Sequence, residues 1–196
     1  INNVSNDLQE KFGLAEDQFR ITGLAVLYNN MLQSLFDSQI KSLGIVFGVI
    51  LLMFLVIFRS IKVAVIGLIP NILTASSVLG LLGILSIPLD IMTITVAAIS
   101  VGMAVDNTIH YLYRYKAEIS NGVAPSDAIL KSHTTIGRAI LYTALTISIG
   151  FLIFSFSNFS PTVLFGTFTS LAIFTSLVAT LILLPLLLQS FKAFDS

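Results

Sequence analysis

Cysteine is absent from the chain, and charge is scarce. With no thiol in 196 residues there is no disulfide framework, thiolate metal site or cysteine nucleophile to expect. Charged residues make up only 10% of the sequence and balance to zero net charge, which says little about partners. The ten basic residues are scattered over loops rather than gathered into a stripe, so nucleic acid is not an expected partner. Histidine occurs only at His110 and His133, and no metal-ligand spacing, glycine-rich phosphate loop or Ser-His-Asp set occurs, so no metal or cofactor is expected. No Met precedes Ile1 and no basic segment leads into an apolar stretch there. The start therefore carries no signal peptide, and the chain reads as a piece of something longer, or one whose remainder is cleaved or supplied by another chain.

What the sequence has in excess is apolar length. A 56% hydrophobic content and a mean hydropathy of +0.96 do not belong to a soluble globular domain. They predict an all-α, polytopic membrane helix bundle. About 20 residues at a 1.5 Å rise cross a roughly 30 Å hydrocarbon core, and stretches of that length run at about 40–58, 63–85, 91–113, 135–156 and 161–188. Arg59 and Lys62 bracket the first break, Ile87-Pro88-Leu89-Asp90 forms the second, a polar stretch from Arg114 to His133 the third, and Asn158-Phe159-Ser160-Pro161 the fourth. Within the third break, residues 125–133 predict a cytoplasmic interfacial helix with Pro125 in its first turn and Ser126 or Asp127 to cap it, or else a linker that only spaces two spans.

Residues 1–38 carry Asp7, Glu10, Glu16, Asp17 and Asp37 against two basic residues, with Leu24, Leu27, Met31, Leu32 and Leu35 at helical spacing. This water-facing segment is too short to bury a core and is expected to end a larger extracytoplasmic domain. Arg59, Lys62, Arg114, Lys116, Lys131, Arg138 and Lys192 fall on one side of the five spans, and the loops around Pro88 and Asn158 hold no Lys or Arg. By the positive-inside rule the N-terminal segment is outside and the 191–196 tail cytoplasmic, with Lys41 snorkelling at an outer helix end.

Asp106 stands behind the uncharged run Ile91–Val105, inside the third span. Placing Asp at a helix centre costs roughly 2.5–3.5 kcal/mol, so an intramembrane carboxylate ordinarily serves a proton, an ion or a buried partner. Ala98, Gly102, Asp106 and His110 recur every four residues, which puts two small and two ionisable residues on one stripe. The small ones admit a neighbouring helix, and Asp106 and His110 face whatever packs there. Desolvation disfavours the charged form of any carboxylate. A carrier protonated outside and deprotonated inside draws on roughly 2.3 kcal/mol per charge per 100 mV of potential. His110 either relays protons or simply occupies an inner water cavity.

Other features have a structural reading beside a functional one. Pro70 frees a backbone carbonyl that Asn71 can reach, either as a local repair of a kink or as part of a polar path with Thr143 and Thr146. Thr167, Thr169, Ser170, Thr175 and Ser176 offer further hydroxyls, which more often bond back to their own helix. Gly80, Gly83, Gly150 and Gly166 read as helix-packing points. Phe151, Phe154, Phe156, Phe159 and Phe165 either line an apolar way in for substrate or are lipid-facing and core aromatics.

The run Gly102-Met103-Ala104-Val105-Asp106-Asn107-Thr108-Ile109-His110, followed by Tyr113-Arg114-Tyr115, resembles the Gly-x-x-x-Asp signature of the resistance-nodulation-division (RND) superfamily, and most closely its MmpL-like exporters. Thr134-Thr135-Ile136-Gly137-Arg138-Ala139-Ile140, Gly150-Phe151-Leu152, Phe165-Gly166 and Leu183-Leu184-Pro185 follow in the same family order. The resemblance implies two six-helix halves, each with an extracytoplasmic domain after its first helix, of which this chain is similar to the end of one domain and the five helices that follow, by its ending a C-terminal half. It implies Asp106 as proton relay, with Asn107 and His110 beside it, and as partners the other half, its extracytoplasmic domain, membrane lipids and a hydrophobic or lipidic cargo, with a homo-oligomer compatible. The implied location is a bacterial or archaeal-type cytoplasmic membrane. In one departure, Asn107 stands where such relatives often have Tyr, so a paired Asp–Tyr contact between halves does not carry over. Either another partner serves the relay, or the other half carries more of it. The competing classes are a sterol-sensing-type lipid sensor or scaffold and a protein-export auxiliary of the SecD/SecF type. An intramembrane aspartyl protease fails because it needs a second facing carboxylate.

Overall fold

The computed structural model describes residues 23–87, 91–192 and 194. The expected segment up to residue 22, the Pro88-Leu89-Asp90 loop and residues 193, 195 and 196 of the tail lie outside the described residues. Five helices are long and apolar enough to cross a membrane, spanning Asp37–Phe58, Ile61–Ile84, Met92–Ser120, Pro125–Phe156 and Ser160–Ser190, and no strand occurs among the described residues. The all-α polytopic bundle is therefore the observed architecture.

In chain order the elements are α1 (Leu24–Phe58), α2 (Ile61–Ile84), α3 (Ile91–Ser120), α4 (Pro125–Ser132), a π-turn (His133–Gly137), α5 (Arg138–Leu152), a short 3-10 turn (Ile153–Phe156), α6 (Ser160–Val178), a second π-turn (Ala179–Leu183) and α7 (Leu184–Ser190). Contacts divide the chain into two units, Ile1–Lys41 and Ser42–Ser196. In the first unit the described residues from Leu24 on are helical, and Leu24, Leu27 and Met31 are exposed within the chain.

In the second unit α3 packs against α2 and α6, and these three form the interior. Val63, Ala75, Val101, Leu112, Ile173 and Leu184 are buried in it. The outer helices α1 and α5 reach it through single faces. From α1 the large rings Phe54 and Phe58 enter, 6.1 Å apart and edge-on, and Phe54 lies against Gly67 of α2. Between α5 and α6 the Ser148 hydroxyl meets the hydroxyl and carbonyl of Ser170, so the two helices join through small polar residues as membrane helices commonly do.

The third and fourth spans are longer than hydropathy indicates. α3 continues past Tyr113 to Ser120, and it stops at Gly122, whose φ of +78° suits a residue without Cβ. There the amides of Gly122 and Val123 bond back to the carbonyls of Ile119 and Glu118, the paired closure that ends many helices. The helix expected at 125–133 is present as α4, but it runs on through the first π-turn into α5 as one helical stretch to Phe156. Its N-cap is Ala124, with no side-chain cap, and Pro125 takes the first helical position. The expected caps Ser126 and Asp127 are instead already inside the helix, where Pro at the first turn needs no amide partner.

The basic residues of the breaks converge at one end of this unit. Lys62 Nζ donates to the Lys192 carbonyl at 3.2 Å, and Lys116 sits 5.8 Å over the Phe58 ring. The carboxylate of Glu118, 7% exposed, takes Arg114 one turn back on α3 and Lys131 of α4 at 3.6 Å. Removing its charge leaves two cations facing a neutral group. Glu118→Gln is therefore expected to lower stability by roughly 1–3 kcal/mol, read as a lower unfolding midpoint in nanodiscs. Lys131→Met, at the exposed end of the same network, should cost less than about 1 kcal/mol.

Candidate functional site

The stripe Ala98, Gly102, Asp106 and His110 runs along one side of α3, and all four residues are exposed in the chain. A side chain built on Gly102 would meet nothing within 4 Å, so among the described residues no helix covers the middle of the stripe. Asp106 and His110 hold each other, Oδ1 to Nε2, at 3.4 Å across one helical turn, with their side chains 70% and 58% exposed. Their exposure follows from the helical period: the opposite side of α3 carries Ala97, Val101, Ala104, Thr108, Tyr111 and Leu112 into the interior, and the stripe takes the remaining arc.

Asn107 does not share the face of Asp106. A residue one position on is turned by roughly 100°, and Asn107 is 7% exposed with its side-chain nitrogen unpaired among the described residues. Thr108 beside it is fully buried, its hydroxyl also unpaired. Toward the basic end, His110 opens onto a groove of about 460 Å³ between α3 and the α4–α5 stretch, lined also by Tyr113, Arg114, Ala117, Thr135 and Ile136.

The remaining candidates lie apart. Asn71 is fully buried on α2 and donates to the Gly67 carbonyl at 2.7 Å, while Thr74 donates to the Pro70 carbonyl at 2.8 Å. Neither bond reaches the carbonyl that Pro70 frees, that of Ile66, so Asn71 does not make the expected repair; both side chains bond back to carbonyls one turn earlier in their own helix. Thr143 and Thr146 are on the exposed side of α5, so within this chain they do not join Asn71. Of the five phenylalanines, Phe151, Phe154 and Phe165 pack together with ring centres 5.6–6.3 Å apart, and Phe156 and Phe159 point outward. Glu118 went unnoticed in the sequence, although Arg114 four residues before it is a helix-pair signal.

The MMPL family pattern matches residues 3–194, nearly the whole of this five-span chain. The chain belongs to the MMPL family. It is an RND-type, multi-pass membrane protein. Among curated relatives it is 29% identical over 139 residues to "Putative membrane protein MJ1562" of Methanocaldococcus jannaschii, covering 71% of this chain and 36% of that protein. It is 28% identical over 148 residues to "Putative membrane protein YdgH" of Bacillus subtilis, covering 71% and 16%. It is 25% identical over 146 residues to "Probable transport protein MmpL11" of Mycobacterium leprae, covering 73% and 14%. The matched part is thus at most about a third of the length of these MMPL-type relatives.

Proposed function

We propose that this chain is part of a proton-motive-force-driven exporter of hydrophobic or lipidic substrates, with Asp106 as its coupling carboxylate and His110 as the group that exchanges protons with it. The observation that carries this reading is the Asp106–His110 pair, 3.4 Å apart on a stripe that no described helix covers. An uncovered carboxylate within a spanning helix is costly to keep beside lipid. A second helical surface, from another half or another copy, is what the small residues Ala98 and Gly102 would admit. The groove beyond His110 supports a way for protons between that pair and the basic end. With the basic end taken as cytoplasmic by the positive-inside rule, protons move inward along α3 as cargo moves outward. Membership of the MMPL family and similarity to a probable transport protein support transport as the activity.

The test is export by the complete protein reconstituted in proteoliposomes under an imposed proton gradient, with a fluorescent lipid and a hydrophobic dye as probes. Export of either probe that stops when a protonophore collapses the gradient is the expected result. Export unaffected by the protonophore would sink the proton-coupled reading.

A further inference from the structure

The second histidine of the chain is held more firmly than the first. His133 opens the π-turn His133–Gly137, and its Nε2 lies 2.9 Å from the carbonyl of Leu181, in the middle of the other π-turn, Ala179–Leu183. A carbonyl oxygen only accepts, so Nε2 carries the proton there. On the other side of the ring, Nδ1 lies 2.8 Å from the hydroxyl of Tyr111 and 3.1 Å from the carbonyl of Ile129. In the neutral ring Nδ1 accepts the Tyr111 O–H, and in the protonated ring it donates to Ile129. Nε2 is committed to Leu181 in either form. Tyr111 is fully buried and meets the imidazole edge-on with ring centres 5.5 Å apart, which fixes the ring's orientation.

The reason the Leu181 carbonyl wants a donor is in the sequence. In an α-helix it would take the amide of residue 185, and residue 185 is Pro, which has none and whose ring crowds that same carbonyl. The helix answers by widening: the Leu184 amide reaches back to Ala179, five residues away. The first π-turn has the same pattern, with the Arg138 amide bonded to the His133 carbonyl. The two turns touch at a second point, since a Cβ on Gly137 would lie 3.5 Å from Leu181 Cδ2.

We propose that His133 is a positioning residue that fastens the two π-turns into one joint, supplying at Leu181 the donor that Pro185 lacks. Through Tyr111 the same ring ties α3 to the joint. The α4–α5 stretch and the α6–α7 stretch then shift together at this level. The tie itself does not rest on the transport reading, whereas its use in moving helices during a transport cycle does.

The experiment is a cycle of variants in the complete protein in nanodiscs, read by thermal unfolding and by amide hydrogen exchange over residues 179–190. His133→Leu should lower the unfolding midpoint and speed exchange of that segment by about tenfold, because local opening there loses its restraint. His133→Gln keeps an N–H donor on a side chain of similar reach and should restore most of the protection. Pro185→Ala returns a backbone amide to Leu181, so in that background His133→Leu should lose at least about half of its effect. An effect of the same size in both backgrounds, or none in either, overturns the proposal. Should His133→Leu alone fail to accumulate, the Pro185→Ala/His133→Leu protein must accumulate, and its failure overturns the proposal as well. Gradient-driven export should follow the order wild type, Gln, Leu. If wild type shows no export, the transport reading fails while the exchange data still decide the tie.

Discussion

Asp106→Asn in the complete protein is expected to reduce gradient-driven export to the uncoupled level, a loss on the order of a hundredfold or more, comparable to removing a proton-transfer group from an active site. The substitution isolates protonation from everything else. Asn has the shape of Asp, and among the described residues the Asp106 carboxylate has no partner but His110. Nothing packed depends on the charge, so the folded state should change by no more than about 0.5 kcal/mol. Membrane insertion becomes easier rather than harder once the charge is gone. Equal expression and an equal unfolding midpoint, together with lost export, would identify a coupling role. Asp106→Glu keeps a titrating carboxylate but moves it by one methylene along the stripe, and should retain part of the activity. Full gradient-dependent export by Asp106→Asn would transfer the coupling to the rest of the protein and leave the Asp106–His110 contact structural. His110→Gln should reduce export less than Asp106→Asn, since the groove beside it gives the carboxylate another way to exchange protons.

How far the sequence reaches depends on which interaction fixes each feature. The spans were legible because apolar length alone decides them. The ends of the third and fourth that meet at the basic end were not: hydropathy stops reporting at the membrane edge, whereas the backbone of Arg114–Ser120 and of Pro125–Ser132 goes on satisfying its hydrogen bonds as helix. Within the polar break, Arg114 and Glu118 one turn apart are the sequence signal that the helix continues, and Gly122 marks its stop. At the site, the stripe of Ala98, Gly102, Asp106 and His110 followed from a four-residue period. That period also turns Asn107 away from the face of Asp106. That no described helix covers Gly102 is a tertiary fact, and so is the meeting of His133 with Leu181, even though Pro185 announced an orphaned carbonyl. The glycines show the same limit. Gly80, Gly83, Gly150 and Gly166 look alike in sequence, yet the first three have open space where a Cβ would stand.

Gly166→Ala is expected to be the most damaging Gly→Ala change among the described residues. A Cβ at Gly166 would lie 2.5 Å from the carbonyl oxygen of Phe151 and 2.5 Å from Phe154 Cβ. Neither neighbour is the loose end of a side chain. The oxygen belongs to the last turn of α5, where the helix tightens into the 3-10 turn Ile153–Phe156, and Phe154 is pinned between Phe151 and Phe165. Relief requires α6 to move away from α5, which would loosen the ring cluster and stretch the Ser148–Ser170 contact further along the same pair of helices. Overpacking of this kind costs roughly 1–3 kcal/mol, more where backbone must shift. Gly67→Ala is crowded too, but its neighbours are the ring edge of Phe54 and Leu112 Cδ1, at 2.9 and 2.8 Å, which are outer side-chain atoms rather than backbone. It should cost less than Gly166→Ala. Gly150→Ala, one turn from the same cluster with nothing within 4 Å, gains helix propensity of up to about 1 kcal/mol and should be neutral or stabilising. Unfolding midpoints of the three variants in one lipid composition should therefore rank Gly150→Ala highest, Gly67→Ala next and Gly166→Ala lowest. A Gly166→Ala protein as stable as wild type would mean that α5 and α6 do not meet as closely as this packing requires.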